Sequence, residues 1–371
     1  MIRSLIFSFV LLFILSPSSV SANAGIFSGA GNQVMPIKSN DIQLVREDVT
    51  IKLRIDEQDG IGFPFVPWAE VHAEFHLRNT KNERVKIEMG FPFIDLQGFG
   101  NEELVLSRLN FRVREVETER RIVLKEGIIE PTLDPQGLFK KVFVWEEHFQ
   151  AQQTKKLIIT YQLLFSVGSL TGDRVFPAIS YFFNYITKTA YTWKGPVERA
   201  IFSMDCSDFF QRINQPDFAK RFGDGFPTTI SRPVLLYNIE PSKFTREEGI
   251  FRWDFKGNIP EEGIKADFAV IFLPVFEKDL PTFLSDREIA FSKELFTGLS
   301  PSPEEKALAE EIIKKQIITN LYDLYARIVR RETKRQLLFE EDRQAISATF
   351  ESLKALTTGS SGSAQNAPAS H

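Results

Sequence analysis

The chain has 371 residues, of which 43% are hydrophobic, and this excludes a protein that is disordered throughout. Its formal net charge of −4 at pH 7 excludes a global basic excess that would hold nucleic acid, so we predict no nucleic-acid partner. The single cysteine, Cys206, excludes an internal disulfide and is interpreted as a small buried side chain. At about 150 residues per domain, this length predicts two domains.

The first 24 residues have the three parts of a secretory signal peptide. Arg3 gives a positive start, residues 5–15 carry no charge, and Ala22 and Ala24 form a small-x-small cleavage site. The uncharged run is shorter than the roughly 20 residues that a membrane-spanning helix needs, which disfavours the alternative of an uncleaved anchor. The sequence therefore predicts cleavage after Ala24, export to the periplasm or the extracellular space, and no transmembrane span after cleavage.

The region that follows alternates apolar and polar residues, which is typical of strands with one solvated face. The clearest runs are 49–55, 71–78 and 85–93, and the polar residues 79–82 predict that the last two form a hairpin. Many short strands without helices between them predict an antiparallel β-sandwich-like domain over residues 25–278. The aromatic-rich segment 175–225 has no clean period and is interpreted as mixed strand and irregular structure.

Residues 279–356 change to a helical pattern and predict a small α-helical domain, so the whole chain is expected to be β-rich α+β. Ser285 and Glu288 have the spacing of a capping box, and Ser302 and Glu305 repeat it after a Pro/Ser linker. Apolar residues then recur at helical spacing; the expected inward positions are Ile317, Leu321, Leu324, Ile328, Ile346, Phe350 and Leu353. The small polar residues 357–371 predict a disordered tail.

Two runs resemble known families. The run FVWEEHFQA at 143–151 with the strand KKLIITYQ after it resembles bacterial exported proteins of the family called domain of unknown function 4424. The opening GIFSGAGNQVMPIKSNDIQLVRE and the run TKTAYTWKGPVERAIFSMD extend this resemblance over residues 25–278. The family implies export and a β-rich domain, and supplies no activity or functional residues.

The second resemblance lies in DLYARIVRRE at 323–332, which is similar to the extracellular YARHG domain at Tyr325, Ala326 and Arg327. Ile328 and Val329 stand where that domain has His and Gly, so the most distinctive part of the motif is missing.

Local catalytic motifs are absent from the sequence: there is no GxSxG, GxxxxGK, GxGxxG or HExxH. We therefore predict a noncatalytic protein without a cofactor, although a site assembled from distant residues is not excluded by this search. The alternative is a hydrolase that acts on an envelope polymer through dispersed carboxylates.

His72, Glu74 and His76 lie on the polar face of one predicted strand. A strand rises about 3.3 Å per residue, so the two histidines are about 13 Å apart along it and cannot hold one zinc ion. A neighbouring pair would need help from another strand, such as the one that carries His148. We predict no metal site here. Nor do the adjacent Glu146 and Glu147 form a carboxylate pair, because they point to opposite faces.

The four tryptophans are Trp68, Trp145, Trp193 and Trp253. If exposed, their rings could serve as stacking platforms for sugars. We expect core positions instead.

One surface feature is a candidate partner site. Four basic residues spaced by four, seven and eight positions are expected to share one side of a helix: Arg327, Arg331, Lys334 and Arg335. They suit anionic lipid headgroups, a polyanionic envelope polymer or an acidic partner. The alternative is a solvated, partly ion-paired helix face.

Together these features predict an exported, noncatalytic protein of the envelope or the extracellular space. We expect it to act by binding an envelope component or a protein that the sequence does not identify.

Overall fold

A computed structural model describes residues 25–30, 33–36, 39–56, 66–94, 109–118, 125–129, 139–169, 178–187, 190, 192–215, 218, 232–274, 277–331, 334–340 and 342–359. The predicted signal peptide and most of the predicted tail lie outside these residues. Residues 357–359 of that tail continue the last helix, which corrects its predicted start.

The described strands, in chain order, are β1 Gly25–Ala30, β2 Gln33–Pro36, β3 Ile42–Asp56, β4 Val66–Asn79, β5 Val85–Ile94, β6 Arg112–Glu115, β7 Lys125–Ile129, β8 Phe139–Phe149, β9 Thr154–Leu164, β10 Ser166–Ser169, β11 Ala178–Tyr185, β12 Val197–Asp205, β13 Val234–Glu240, β14 Thr245–Glu247, β15 Ile250–Gly257, β16 Ile264–Ile271 and β17 Gln336–Leu337. The described α-helices are α1 Ser207–Ile213, α2 Leu280–Leu295, α3 Pro303–Val329 and α4 Asp342–Gly359, and a 3₁₀ turn at Glu277–Asp279 precedes α2.

The strands form three sheets. One has seven strands in the order β14-β15-β12-β3-β4-β9-β6, one has five in the order β10-β11-β16-β13-β17, and the strands β1-β2-β7-β8-β5 form a sheet that closes on itself. The pairings are antiparallel except β12 with β3 and β2 with β7. The predicted β-rich α+β fold is therefore confirmed.

The core lies between sheets and is rich in aromatic rings. Tyr185 of the five-stranded sheet and Phe202 of the seven-stranded sheet have ring centroids 5.7 Å apart. The four tryptophans are at most 3% exposed, so their prediction as core residues is confirmed. Cys206 is fully buried as predicted, and this burial raises the pKa of its thiol well above the ordinary value.

The predicted hairpin between β4 and β5 is wrong. β4 pairs with β3 and β9, whereas β5 pairs with β8 and β1 in a different sheet. The turn between β4 and β5 crosses from one sheet to another and lies beside the turn between β8 and β9. The Asn79 side chain connects these two turns by donating to the carbonyl oxygens of Glu83 and Gln150 at 2.7 and 2.8 Å. A local turn signal cannot distinguish this crossover from a hairpin.

The segment 175–225 contains β11, β12 and α1. β11 alternates between buried and half-buried residues, as a strand should. Helix α1 was not predicted, because its N-cap residue is Cys206 rather than one of the residue types that usually cap a helix. Cys206 makes no side-chain capping hydrogen bond. It is held by the burial of Phe209, Phe210 and Ile213.

The helical region contains one confirmed and one wrong helix start. Ser302 and Glu305 form the predicted capping box, with the two hydrogen bonds at 2.9 and 3.2 Å. Helix α2 begins at Leu280 rather than at Ser285, because Pro281 suits a first helical turn and Leu280 is buried. None of the described helices is long and apolar enough to cross a bilayer.

The helices share the core of the sheets. Six of the seven predicted inward positions are buried, and Leu324 is partly buried, within the cluster that includes the sheet residues. The Tyr325 hydroxyl donates to the carbonyl oxygen of Pro274, and Leu337 of β17 pairs with Leu236 of β13. The predicted domain boundary near residue 279 stays a prediction. Residues after this boundary contact residues before it, as these two interactions show.

Candidate functional site

The four basic residues predicted from helical spacing do not share a helix face. Helix α3 ends at Val329, so Arg327 lies in its last turn, whereas Arg331 has a left-handed φ of 56° just beyond it. Lys334 and Arg335 lie in the bend before β17. The helical prediction is wrong because pairing of β17 with β13, together with burial of Leu337 and Leu338, draws the chain to the edge of the sheet.

The structure nevertheless gathers three of these residues with two further arginines around a cavity of about 430 Å³. We call this cavity the basic pocket. Its charged lining residues are Arg246, Arg331, Lys334, Arg335, Arg343 and Glu340, and the remainder are Leu236, Tyr237, Ile328, Gln336, Leu337 and Leu338. Arg327 is not among them.

Tyr237 of β13 fixes one side of the basic pocket. The Arg246 guanidinium lies 5.3 Å from the centroid of the Tyr237 ring and 5.5 Å from that of Phe251, which are cation–π distances. Its Nη1 donates to the Tyr237 hydroxyl at 3.2 Å, and that hydroxyl donates to Oε1 of Gln336 at 3.2 Å. Arg246 is therefore held in place, and Tyr237 is the one hydrogen-bond acceptor that its five N–H donors reach among the described residues, so the other donors suit another acceptor.

Two carboxylates form ion pairs with cations of the basic pocket. Arg335 reaches Asp267 of β16 with Nη2 at 2.8 Å from Oδ2, and Glu340 lies 2.8 Å from Arg343 and 3.6 Å from Arg331. The hydrogen bond from Arg343, with the charges of Arg343 and Arg331, lowers the pKa of Glu340 against an opposing effect of burial. Among the described residues, Arg246 and Lys334 have no carboxylate partner.

A second polar cluster lies on the outer face of the seven-stranded sheet. Potential ligand atoms of Asp48, Glu74 and His76 lie within 4.8 Å of one another, because Asp48 of β3 is directly opposite Glu74 of β4. Residue spacing along β4 does not reveal that β3 contributes to this cluster, and His148, the expected residue from another strand, lies instead 3.8 Å from Glu146. His72 does not join this cluster.

Cations already occupy the carboxylates of this cluster. Oε1 of Glu74 lies 2.5 Å from Nζ of Lys156 and 2.8 Å from Nε2 of His76, and Arg46 lies 2.7 Å from Asp48. Burial raises the pKa of Glu74, but the hydrogen bonds from Lys156 and His76, together with the charges of these two side chains, lower that pKa overall. A metal ion would have to displace two cationic side chains, so we retain the prediction of no metal site.

Treatment with a chelator should therefore leave the melting temperature of the protein unchanged. A metal bound to the folded state stabilises it, and its removal lowers the melting temperature. The measurement is a thermal melt of the purified protein before and after excess EDTA, with His76→Ala as the matched variant. A drop of several degrees that zinc reverses in the wild type but not in His76→Ala would contradict the prediction.

Glu146 and Glu147 point to opposite faces, as predicted. Glu146 is exposed and lies 2.8 Å from Lys86, whereas Glu147 is fully buried. Nζ of Lys155 lies 3.2 Å from Glu147 and 2.7 Å from Glu115, so the three form a buried ionic triad. The alternation of β9 places Lys155 on the same face as Leu157 and therefore predicts a buried lysine. This alternation is the sequence signal from which the triad could have been predicted.

Comparisons with known proteins name no family. No family model matches the chain, and neither does any curated protein. One similar solved structure, described as a "putative nutrient binding protein" from Legionella pneumophila, is 14% identical, covers 89% of this chain and 99% of its own, and has a TM-score of 0.41. The M1 zinc metallopeptidase of Deinococcus radiodurans is 8% identical over 63% of this chain and 43% of its own, with a TM-score of 0.27. Similarities this low carry no argument here.

Proposed function

We propose that the protein is an exported, noncatalytic binding protein of the envelope or the extracellular space, and that the basic pocket holds an anionic part of its partner. One observation carries the proposal: Arg246 and Lys334 line the same cavity, and neither has a carboxylate partner among the described residues. Export rests on the sequence of residues 1–24, with cleavage expected after Ala24.

The side chains of the basic pocket suit phosphate or carboxylate groups. A guanidinium offers parallel N–H donors that match two oxygens of such a group, and an ammonium adds a compact charge. A cavity of about 430 Å³ is in the size range of small-molecule sites. Because Tyr237 and Phe251 hold Arg246 in position, little side-chain freedom is lost when an anion binds.

The same geometry favours binding over polymer hydrolysis. Hydrolysis of a glycosidic polymer usually needs two carboxyl groups on either side of the bond that breaks. Among the described residues that line the basic pocket, Glu340 is the one carboxylate, and it is paired with Arg343. The buried pair Glu115 and Glu147 shares Lys155 inside the protein, where no polymer reaches it.

Tripolyphosphate should bind to the mature protein, and the double variant Arg246→Gln/Lys334→Gln should bind it at least tenfold more weakly. Each substitution removes charge-assisted hydrogen bonds, which contribute about 1.5–3 kcal/mol apiece, and about 1.4 kcal/mol corresponds to a factor of ten. Isothermal titration calorimetry at low and high salt measures the affinity, which should fall as salt screens the charges.

The matched control is Lys293→Gln/Lys306→Gln, which removes the same total charge from a different cavity between α2 and α3. Circular dichroism melts would show that both double variants are folded. Equal weakening in the two double variants would show that net charge alone attracts the anion, and would contradict a site in the basic pocket.

A further inference from the structure

Glu340 occupies part of the basic pocket with a carboxylate of the protein itself. Its side chain is 63% exposed and lies 2.8 Å from Nη2 of Arg343 and 3.6 Å from Nη2 of Arg331. Arg343 follows three residues later in the first turn of α4, so the pair is local and sits at the start of that helix. The cations of the basic pocket therefore fall into three sets: Arg331 and Arg343, which face Glu340; Arg335, which pairs with Asp267; and Arg246 and Lys334, which have no carboxylate partner among the described residues.

The Glu340 carboxylate is held weakly enough to be displaced. Exposed ion pairs contribute little to stability, because solvent screens the attraction and because both side chains lose freedom. The carboxylate is ionised at neutral pH, because the ordinary pKa of a glutamate is acidic and Arg343 and Arg331 lower it further. An external anion at Arg331 and Arg343 thus has to compete with an anion that is already present.

We propose that Glu340 selects for ligands with two or more anionic groups, by occupying one half of the basic pocket until a second group of the same ligand displaces it. This inference rests on the proposed function of the basic pocket. The first anionic group binds at Arg246 and Lys334, where no carboxylate of the described residues competes with it. The second reaches Arg331 and Arg343 only if it is tethered to the first, because the tether raises its effective concentration above what a free monovalent anion attains. The ligand class is therefore an oligo-anion, such as a chain of phosphate groups.

The test compares tripolyphosphate with inorganic phosphate on the wild type and on Glu340→Gln. Removing the carboxylate charge removes the competition, so Glu340→Gln should bind tripolyphosphate at least fivefold more tightly. Its affinity for inorganic phosphate at Arg246 and Lys334 should change less than twofold. Calorimetry of the full mature chain gives both affinities.

The matched control is Glu262→Gln. Glu262 is also exposed and also forms an i,i+3 ion pair, with Lys265 at 2.9 Å, but it does not line the basic pocket. A gain in tripolyphosphate affinity with Glu340→Gln and none with Glu262→Gln would support the inference.

Three other outcomes would overturn it. Equal gains in the two variants would indicate a general effect of net charge. No gain in Glu340→Gln, while Arg246→Gln/Lys334→Gln still loses binding, would overturn the role of Glu340 and leave the proposed function standing. Absence of binding of either probe to every variant at millimolar concentration would overturn both.

Discussion

Replacing Lys155 by methionine should lower the free energy of unfolding by about 3–5 kcal/mol, because it leaves two buried carboxylates without their cation. Nζ of Lys155 lies 2.7 Å from Glu115 and 3.2 Å from Glu147, and the three side chains are 7%, 6% and 0% exposed. The ammonium also lies 5.4 Å from the centroid of the Phe149 ring. Methionine fills much the same volume, so the loss measures the missing charge rather than a cavity.

The control for this prediction is Lys156→Met, the same substitution one residue along β9. Lys156 is 32% exposed and pairs with Glu74 on the outer face, where an ion pair contributes about 0.2–1 kcal/mol. Urea denaturation gives both free energies. A loss in Lys155→Met no larger than that in Lys156→Met would show that the buried triad is not formed as described.

Replacing Tyr325 by alanine should lower the stability of the whole protein by about 3–5 kcal/mol, the range for removing a large buried aromatic ring. Tyr325 is fully buried, and its hydroxyl donates to the carbonyl oxygen of Pro274. The buried residues of α3 belong to the same apolar cluster as those of the sheets. We therefore expect helical and strand signals to melt together in one transition at a lower temperature.

Tyr322→Ala is the matched control, since Tyr322 stacks on Phe350 of α4 with ring centroids 5.1 Å apart and lies within the helical region. Tyr322 is only half-buried, so Tyr322→Ala should lower the stability less than Tyr325→Ala does. If Tyr325→Ala instead melts the helices alone and leaves the strand transition unchanged, the helices form a separate unit, as the boundary near residue 279 predicts.

Local sequence patterns predicted the strands and helices better than they predicted which strands pair. The alternation over residues 71–78 identified β4, yet the turn after Asn79 gave no indication that β5 belongs to another sheet. The capping box at Ser302 was read correctly because capping depends on residues three positions apart. The helix start predicted at Ser285 is wrong because Ser285 and Glu288 have capping-box spacing but lie inside α2. That helix begins at Leu280, which is buried.

The candidate site was accessible to sequence reasoning only in part. Lys334 and Arg335 were identified from their charge, but β17 ends the helical pattern through a pairing with β13, about 100 residues earlier in the chain. Arg246 and Tyr237 also lie far before Lys334 in the sequence, and no local motif connects them to it. Long-range strand pairing, which alternation does not specify, brings these side chains together.

The most direct test of the proposed site is to locate a bound anion. Crystals of the mature protein soaked in tungstate would show the anion by its anomalous scattering. We expect a tungstate peak in the basic pocket, with oxygen atoms of the anion within about 3 Å of Nζ of Lys334 and of the Arg246 guanidinium. An empty basic pocket, with tungstate bound only elsewhere on the protein, would contradict it.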